Sequence, residues 1–367
     1  MNTLDFAPAV RLLMLAIGLA LLPLSWLWLR QRGANGRLRL AALCALTLFL
    51  TFDLIVFGAF TRLSDSGLGC PDWPGCYGHA SPLGARAHID VAQSLQPSGP
   101  VTLSKAWIEM IHRYLAMTVG ALILVMTVAG WARRRELPHS PWWPTATLTW
   151  VLVQGLFGKY TVTLKLYPAI VSLHLLGGMV LLALLTVQYE HFRHRPLLLS
   201  PALKRGAGLV VVLLALQIAL GGWVSSNYAV LACGGFPQCN GQWWPDMDFG
   251  QGFTLLRELG RAGDGAYLSV DALVAIHLAH RGFAVVLLGA LLWLARGLWR
   301  DSRLRSVARC LFALTALQLA SGLSNVVLGW PLLAALLHTA GAAAMVAVLV
   351  SLLARGGHAL APAMPHP

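Results

Sequence analysis

Four histidines fall at matching places in the apolar segments of this chain, and their side chains are well suited to bind a metal. His112 and His280 each precede an arginine near the start of an apolar segment, and they are 168 residues apart. His174 and His338 lie near the start of two later segments, 164 residues apart. Two imidazoles at one depth on facing helices can ligate both faces of a porphyrin iron. The pattern therefore predicts two bis-histidine porphyrin sites.

A single glutamate distinguishes the two histidine pairs. Glu109 lies three residues before His112, on the same helix face, and His277 has the corresponding place before His280. A carboxylate one turn from an iron ligand would face the porphyrin edge, where it could accept a proton or stabilise positive charge. The alternative is a glutamate at the lipid headgroups, and His277 could be a hydrogen-bond partner or a spare ligand. The asymmetry indicates one catalytic half and one half that handles electrons.

Long apolar helices must position these residues. The chain has 367 residues, 57% of them hydrophobic and 11% charged, which is typical of a membrane protein. A helix needs about 20 apolar residues to cross roughly 30 Å of hydrocarbon, and lipid offers an open backbone no hydrogen-bond partner. We therefore predict an all-α polytopic membrane protein with nine spans. These cover residues 9–29, 40–60, 107–131, 144–162, 169–188, 207–226, 270–294, 307–327 and 332–354.

The basic residues predict how the chain is oriented. Seventeen of the 27 Lys and Arg residues fall in alternate loops and the tail, and the positive-inside rule places that side in the cytoplasm. We therefore expect a multi-pass membrane protein. Its N-terminus and its two long loops, 61–106 and 227–269, would lie outside, and its C-terminus would be cytoplasmic. The net charge of +13 does not indicate nucleic-acid binding, because the basic runs are short and end at helices.

The two long loops contain an internal duplication. Residues 58–76 and 221–239 each place a glycine twelve residues before a cysteine, with a second cysteine after five more residues. Gln154 and Gln318 repeat at the 164-residue offset of the later histidines. We therefore predict two four-helix bundles of one orientation, together eight core helices, plus one extra N-terminal helix. The predicted units are 1–39 (extra helix and basic loop), 40–188 (first half), 207–354 (second half) and 355–367 (tail).

The cysteines of the duplicated loops form two close pairs. Cys70 and Cys76 in one loop, and Cys233 and Cys239 in the other, have a spacing that permits a disulfide, and the oxidising side of the membrane allows it to persist. Each pair could be a structural clip or could pass electrons to the site below it. The sequence leaves both roles open.

Three arginines near the outer helix ends are candidate partners for porphyrin propionates. Arg113 and Arg281 follow two of the histidines, and Arg62 ends the second span. The alternative is that these side chains only extend to the membrane surface. Zinc or copper is a less suitable metal for the histidines, because no carboxylate or thiol joins them at ligand spacing within the spans.

Several motifs together resemble the heme A synthase family. They are TRLSDSGLGCPDW at 61–73, EMIHR at 109–113, the SLHLLGG run at 172–178, HR at 280–281 and the later His338. The first motif combined with E-x-x-H-R is specific, whereas the second half alone would be weak. The resemblance covers about residues 40–354, and the helix before residue 30 departs from the family pattern.

The resemblance implies both an activity and roles for the candidate residues. Members oxidise a methyl group of heme O to the formyl group of heme A, which serves terminal cytochrome oxidases. His280 and His338 would hold the iron of a resident haem b, His112 and His174 would line the substrate haem site, and Glu109 would lie beside the reacting edge. The expected partners are heme O, a heme O synthase, cytochrome c oxidase assembly and the lipid bilayer. The resemblance to the bacterial form of the family also implies the inner membrane, with the N-terminus and the cysteine loops in the periplasm. A homo-oligomer stays an open alternative.

Two other functions fit parts of the sequence. A diheme electron-transfer cytochrome, such as a quinol oxidoreductase, would explain four histidines equally well but would give Glu109 no special role. A transporter of porphyrins or other small molecules would suit a parallel repeat. The helices lack the central Gly and Pro breaks that are typical of transporters.

Overall fold

The computed structural model describes residues 7–137, 140–193 and 195–356, with side chains from residue 10 onward. Most of the predicted tail at 355–367 therefore lies outside the described residues. Eleven α-helices occur, and the described part of the chain contains no strand. They are α1 (Ala7–Arg30), α2 (Gly36–Leu63), α3 (Arg86–Leu95), α4 (Leu103–Ala132), α5 (Trp142–Thr163), α6 (Pro168–Arg193), α7 (Pro201–Ser226), α8 (Phe249–Gly252), α9 (Val270–Trp299), α10 (Arg305–Val327) and α11 (Leu332–Gly356).

Each of the nine long helices matches one predicted span. Eight are long and apolar enough to cross a membrane, and this confirms the all-α polytopic class. The ninth, α5, has 22 residues but is rich in Trp and Thr, which lowers its hydropathy. Polar side chains begin several helices: Asn35 accepts a hydrogen bond from the backbone of α2, and Ser269 from that of α9. Such caps satisfy amides that have no partner within the helix.

The long helices form two similar rings. In the first ring, α2 packs against α4, α4 against α5, α5 against α6, and α6 against α2. In the second, α7, α9, α10 and α11 make the same closed set of contacts. The histidines of each ring lie on two of its four helices, α4 and α6 in the first ring and α9 and α11 in the second.

The rings join through their inner helices. Helix α11 contacts both α2 and α6, and α6 also contacts α7. A large apolar cluster crosses this junction and includes Met179, Leu214 and Leu349, all at most 5% exposed. Helix α1 lies outside the rings, against α4 and α2, with much of its apolar surface exposed. Such a surface suits contact with lipid.

The two cysteine loops lie at the same end of the bundle, which we call the cysteine-loop end. The first loop carries α3 and packs Cys70 and Ile89 against Met110 of α4. The second carries α8, whose Gly252 carbonyl accepts a hydrogen bond from Trp223 of α7, and it packs Cys233 near Val274 of α9. Neither short helix was predicted; α3 has ten residues and α8 only four.

Candidate functional site

The four histidines lie near the cysteine-loop end, two in each ring. His112 is nine residues into α4, and His174 is six residues into α6. His280 is ten residues into α9, and His338 is six residues into α11. Each ring of helices thus contains the two histidines of one predicted pair.

The second histidine pair has the separation that one iron requires. The ring centroids of His280 and His338 are 6.4 Å apart, and the ring planes are inclined at 76°. Two imidazole nitrogens bound to opposite faces of one metal at about 2 Å each would put the centroids about 6 Å apart. The residues present therefore fit a bis-histidine haem.

The first pair lies in a comparable setting. His112 and His174 are half-buried on α4 and α6, which are opposite helices of the first ring. Phe57 of α2 stacks on His112, with the ring centroids 6.3 Å apart and the planes only 8° from parallel. An apolar wall of this kind suits a flat, apolar ligand.

A glycine on the preceding long helix faces each histidine ring, a feature that we did not predict. In each case a Cβ added to the glycine would lie 2.9–3.5 Å from the Cε1 atom of the imidazole. At Gly58, Gly221 and Gly322 the absence of a side chain lets the imidazole approach the neighbouring backbone, whereas at Gly158 the 3.5 Å distance would be an ordinary contact. The four pairs are Gly58 with His112, Gly158 with His174, Gly221 with His280 and Gly322 with His338.

Glu109 is buried beneath the first cysteine loop. Its side chain is one turn from His112 on α4, and the residue is only 4% exposed. The backbone N–H of Cys70 donates to Oε2 at 2.8 Å, and Arg113 forms an ion pair with Oε1. This carboxylate does not lie among lipid headgroups, since both of its oxygens have partners inside the protein.

Arg113 links Glu109 to the loop. Its Nη1 donates to the backbone carbonyl oxygens of Asp72 at 2.9 Å and Gly75 at 2.6 Å, while Nη2 contacts Glu109. Sequence reasoning had offered a propionate or the membrane surface as the partner of Arg113. The structure gives it loop carbonyls instead, and the propionate role stays a prediction.

Arg281 repeats this arrangement in the second ring. Its Nη2 donates to the Cys233 carbonyl at 2.7 Å, and its Nη1 donates to the Gly235 carbonyl at 3.1 Å. Its Nε donates to Nε2 of His277 at 3.2 Å. His277 therefore takes the place of Glu109 beneath the second loop. Of its two predicted roles, the structure gives the hydrogen bond.

Arg62 lies where the two rings meet at the cysteine-loop end. Its Nη2 donates to the Ser225 carbonyl at 2.6 Å, and its guanidinium lies 3.9 Å from the ring centroid of Tyr228. The Tyr228 hydroxyl donates to Asp65 at 2.7 Å. Burial and the contact with Asp65 raise the pKa of Tyr228, against an opposing effect from Arg62.

Both cysteine pairs are disulfides. Cys70 and Cys76 have Cα atoms 4.9 Å apart, and Cys233 and Cys239 have them 4.8 Å apart, within the usual range for a disulfide. The pairings that the spacing allowed are therefore formed. Whether they also carry electrons stays open.

The described residues contain no group of three His, Cys, Asp or Glu side chains able to hold a metal ion. Three protein ligands or more are usual for zinc. That the histidines bind haem iron rather than zinc or copper stays a prediction.

These features define a class of protein: a multi-pass membrane bundle with two histidine-bearing rings, one of which holds a buried glutamate. Comparison with known proteins then gives the family. The model of the cytochrome oxidase assembly protein family, COX15-CtaA, matches residues 11–350. The chain belongs to this family, and the match takes in most of α1 as well as the duplicated core.

Several relatives are heme A synthases, so the resemblance inferred from the motifs is confirmed. The heme A synthase of Shewanella oneidensis is 39% identical over 320 residues, covering 86% of this chain and 96% of the relative. That of Shouchella clausii is 28% identical over 80% of this chain and 87% of the relative. That of Caulobacter vibrioides is 28% identical over 82% and 90%, respectively.

Proposed function

We propose that this protein is an oxidoreductase that oxidises a methyl group of heme O to the formyl group of heme A by successive hydroxylations. The observation that carries the proposal is the buried carboxylate of Glu109 in only one of two matching histidine sites. The names of the relatives support the same reaction.

The two halves have different roles in this proposal. Residues 40–188 form the half that binds heme O, with His112 and His174 facing its iron. Residues 207–354 form the half in which His280 and His338 bind the iron of haem b. The 6.4 Å separation of these two imidazoles supports the second assignment. When bound, haem b supplies one-electron transfer.

Glu109 is the catalytic residue in this proposal. Oxidation of a methyl group on a conjugated ring builds positive charge, and a fixed anion in a site with little water stabilises such charge. The hydrogen bond from Cys70 and the ion pair with Arg113 hold the carboxylate in place before any substrate binds. The same carboxylate is placed to accept a proton released during oxidation.

The proposed setting is the bacterial inner membrane. The cysteine-loop end and the N-terminus face the periplasm, and the basic loops and the C-terminus face the cytoplasm. Heme O comes from a heme O synthase, and heme A leaves for assembly of cytochrome c oxidase. The eight apolar helices support a multi-pass location.

Glu109→Gln tests the assignment of chemistry to this carboxylate. Haem extracted from cells that express the variant is expected to contain heme O in place of heme A, because the amide keeps the shape but not the charge. Glu258→Gln, an exposed change in the second loop, is the matched control and should leave heme A unchanged. Normal heme A without heme O accumulation in the Glu109 variant would refute catalysis by this residue.

The rival function, an electron-transfer cytochrome without porphyrin chemistry, is not favoured by the relatives. It makes a different prediction for the same experiment. A diheme cytochrome would carry equal haem in the wild type and in Glu109→Gln, and neither protein would alter the haem composition of the cell.

A further inference from the structure

In the second ring of helices, a serine hydroxyl contacts one of the two histidines. Ser321 Oγ lies 3.0 Å from Nδ1 of His338 and 2.7 Å from the Leu317 carbonyl oxygen. A hydroxyl has one hydrogen, and a carbonyl oxygen can only accept, so that hydrogen goes to the backbone. Ser321 therefore accepts from Nδ1–H of His338. This leaves the lone pair on Nε2, the form of imidazole that binds iron.

Gln217 of α7 holds the other histidine of this ring. Its amide nitrogen lies 3.1 Å from Nδ1 and 3.4 Å from Nε2 of His280, and it donates to the His280 carbonyl oxygen at 3.2 Å. The amide oxygen of Gln217 is buried without a hydrogen-bond partner. Because the His280 carbonyl oxygen can only accept, the amide nitrogen stays on this side, where it also contacts and restrains the ring of His280.

The first ring has no equivalent of these two polar side chains. The 164-residue offset that relates His338 to His174 relates Ser321 to Phe157, and the 163-residue offset of the loops relates Gln217 to Leu54. Phe157 and Leu54 have no polar side-chain atoms. Accordingly, the buried Nδ1 atoms of His112 and His174 have no hydrogen-bond partner among the described residues.

We propose that Ser321 and Gln217 are positioning residues that make the haem of the second ring a permanent cofactor. Their apolar counterparts leave the histidines of the first ring less restrained, so that a haem bound there can leave. Partners of this kind orient metal-binding imidazoles and increase their basicity, and their removal typically costs 10–100-fold in metal affinity. The inference rests on the proposed function, in which one haem stays and the other is exchanged.

Ser321→Ala and Gln217→Leu test the proposal in the full-length purified protein. We expect haem b to transfer to apomyoglobin roughly tenfold faster in each variant. Extraction and chromatography separate haem b from heme O and heme A, so the resident haem can be followed alone. Ser321→Thr keeps the hydroxyl and should restore slow transfer. Ser324→Ala is the matched control, since Ser324 makes the same bond to a backbone carbonyl on α10 but contacts no histidine.

A redox measurement distinguishes a specific effect on the His338 imidazole from a general loosening of the haem site. Loss of the acceptor for Nδ1–H makes the imidazole of His338 a weaker donor, which favours ferrous over ferric iron. The midpoint potential of haem b should therefore rise in Ser321→Ala, by about 59 mV for each tenfold change in that preference. An unchanged potential and transfer rate in both Ser321→Ala and Gln217→Leu would overturn the proposal.

Phe157→Ser provides an independent test in the first ring, should the alanine variant fail to fold. The introduced hydroxyl lies where Ser321 lies in the second ring, and it should slow the loss of heme O or heme A from the protein. Faster or unchanged loss would contradict the proposal. If His280→Ala and His338→Ala both leave the low-spin haem b spectrum unchanged, the ligand assignment in the proposed function fails instead.

Discussion

Replacing Gly58 by alanine should displace the neighbouring imidazole of His112. The same replacement at Gly155 or Gly158 of α5 should displace no neighbour. A Cβ at Gly58 would lie 2.9 Å from Cε1 of the His112 imidazole, closer than carbon atoms ordinarily approach. A Cβ at Gly158 would lie 3.5 Å from the same atom of His174, an ordinary contact. A Cβ at Gly155 would meet nothing within 4 Å. The three glycines thus form a series in a single ring.

Two opposing effects set the expected magnitudes. Alanine is favoured over glycine inside a helix by roughly 0.5–1 kcal/mol, whereas overpacking costs typically about 1–3 kcal/mol. At Gly155 and Gly158 only the first effect operates, so both substitutions should be neutral or stabilising. At Gly58 the crowding dominates, because the ring of His112 is held between the α2 backbone and Phe57. We expect a net loss of about 1 kcal/mol there.

The assay is unfolding of the purified protein in mixed micelles, together with the haem spectrum of the folded state. Gly58→Ala should unfold at lower denaturant and should show altered ligation of any haem bound in the first ring. Gly155→Ala and Gly158→Ala should match or exceed the wild type. The reasoning is refuted if Gly58→Ala is as stable as Gly155→Ala and has the same spectrum.

Three further predictions concern the cysteine-loop end and the free thiols. Arg281→Ala should expose the second loop to limited proteolysis, because the arginine binds its carbonyls; unchanged cleavage would contradict this role. Because the pKa of the Tyr228 phenol is raised in the folded protein, its contribution to stability should be complete below its ordinary value and should be lost as the pH rises from there through the higher folded value; difference titration against Tyr228→Phe at 295 nm measures it. Maleimide without reductant should label neither the buried Cys44 nor the four disulfide cysteines; labelling of Cys70 would show a free thiol.

The sequence predicted the nine long helices because a bilayer imposes length and hydropathy on every span. It also placed the two histidines of each pair at similar depths in one half, and the structure puts them on opposite helices of one ring, α4 with α6 and α9 with α11. The partners of Arg113 and Arg281 were beyond sequence reasoning. Those partners are backbone carbonyls of the loops, and no residue type in the loops marks which carbonyls point inward.

The glycines that face the histidines left a signal in the sequence that spacing alone could have revealed. Gly158 and Gly322 repeat at the same 164-residue offset as Gln154 and Gln318. Gln318 donates to the His338 carbonyl at 2.9 Å, so this repeat belongs to the surroundings of the histidine. What the offset cannot give is the distance, which depends on how closely α10 and α11 pack.

In both rings an arginine anchors the cysteine loop, but the side chain beside that arginine is charged differently in the two rings. In each ring an arginine binds loop carbonyls and also contacts the side chain one turn earlier, which is Glu109 in the first and His277 in the second. The loop is anchored by the arginine in both cases, so exchanging the earlier residue changes the charge without removing the anchor. A duplicated bundle could therefore acquire a buried carboxylate beside one porphyrin site only. The first ring then has an ion pair at this place, whereas Arg281 in the second ring has no carboxylate partner among the described residues.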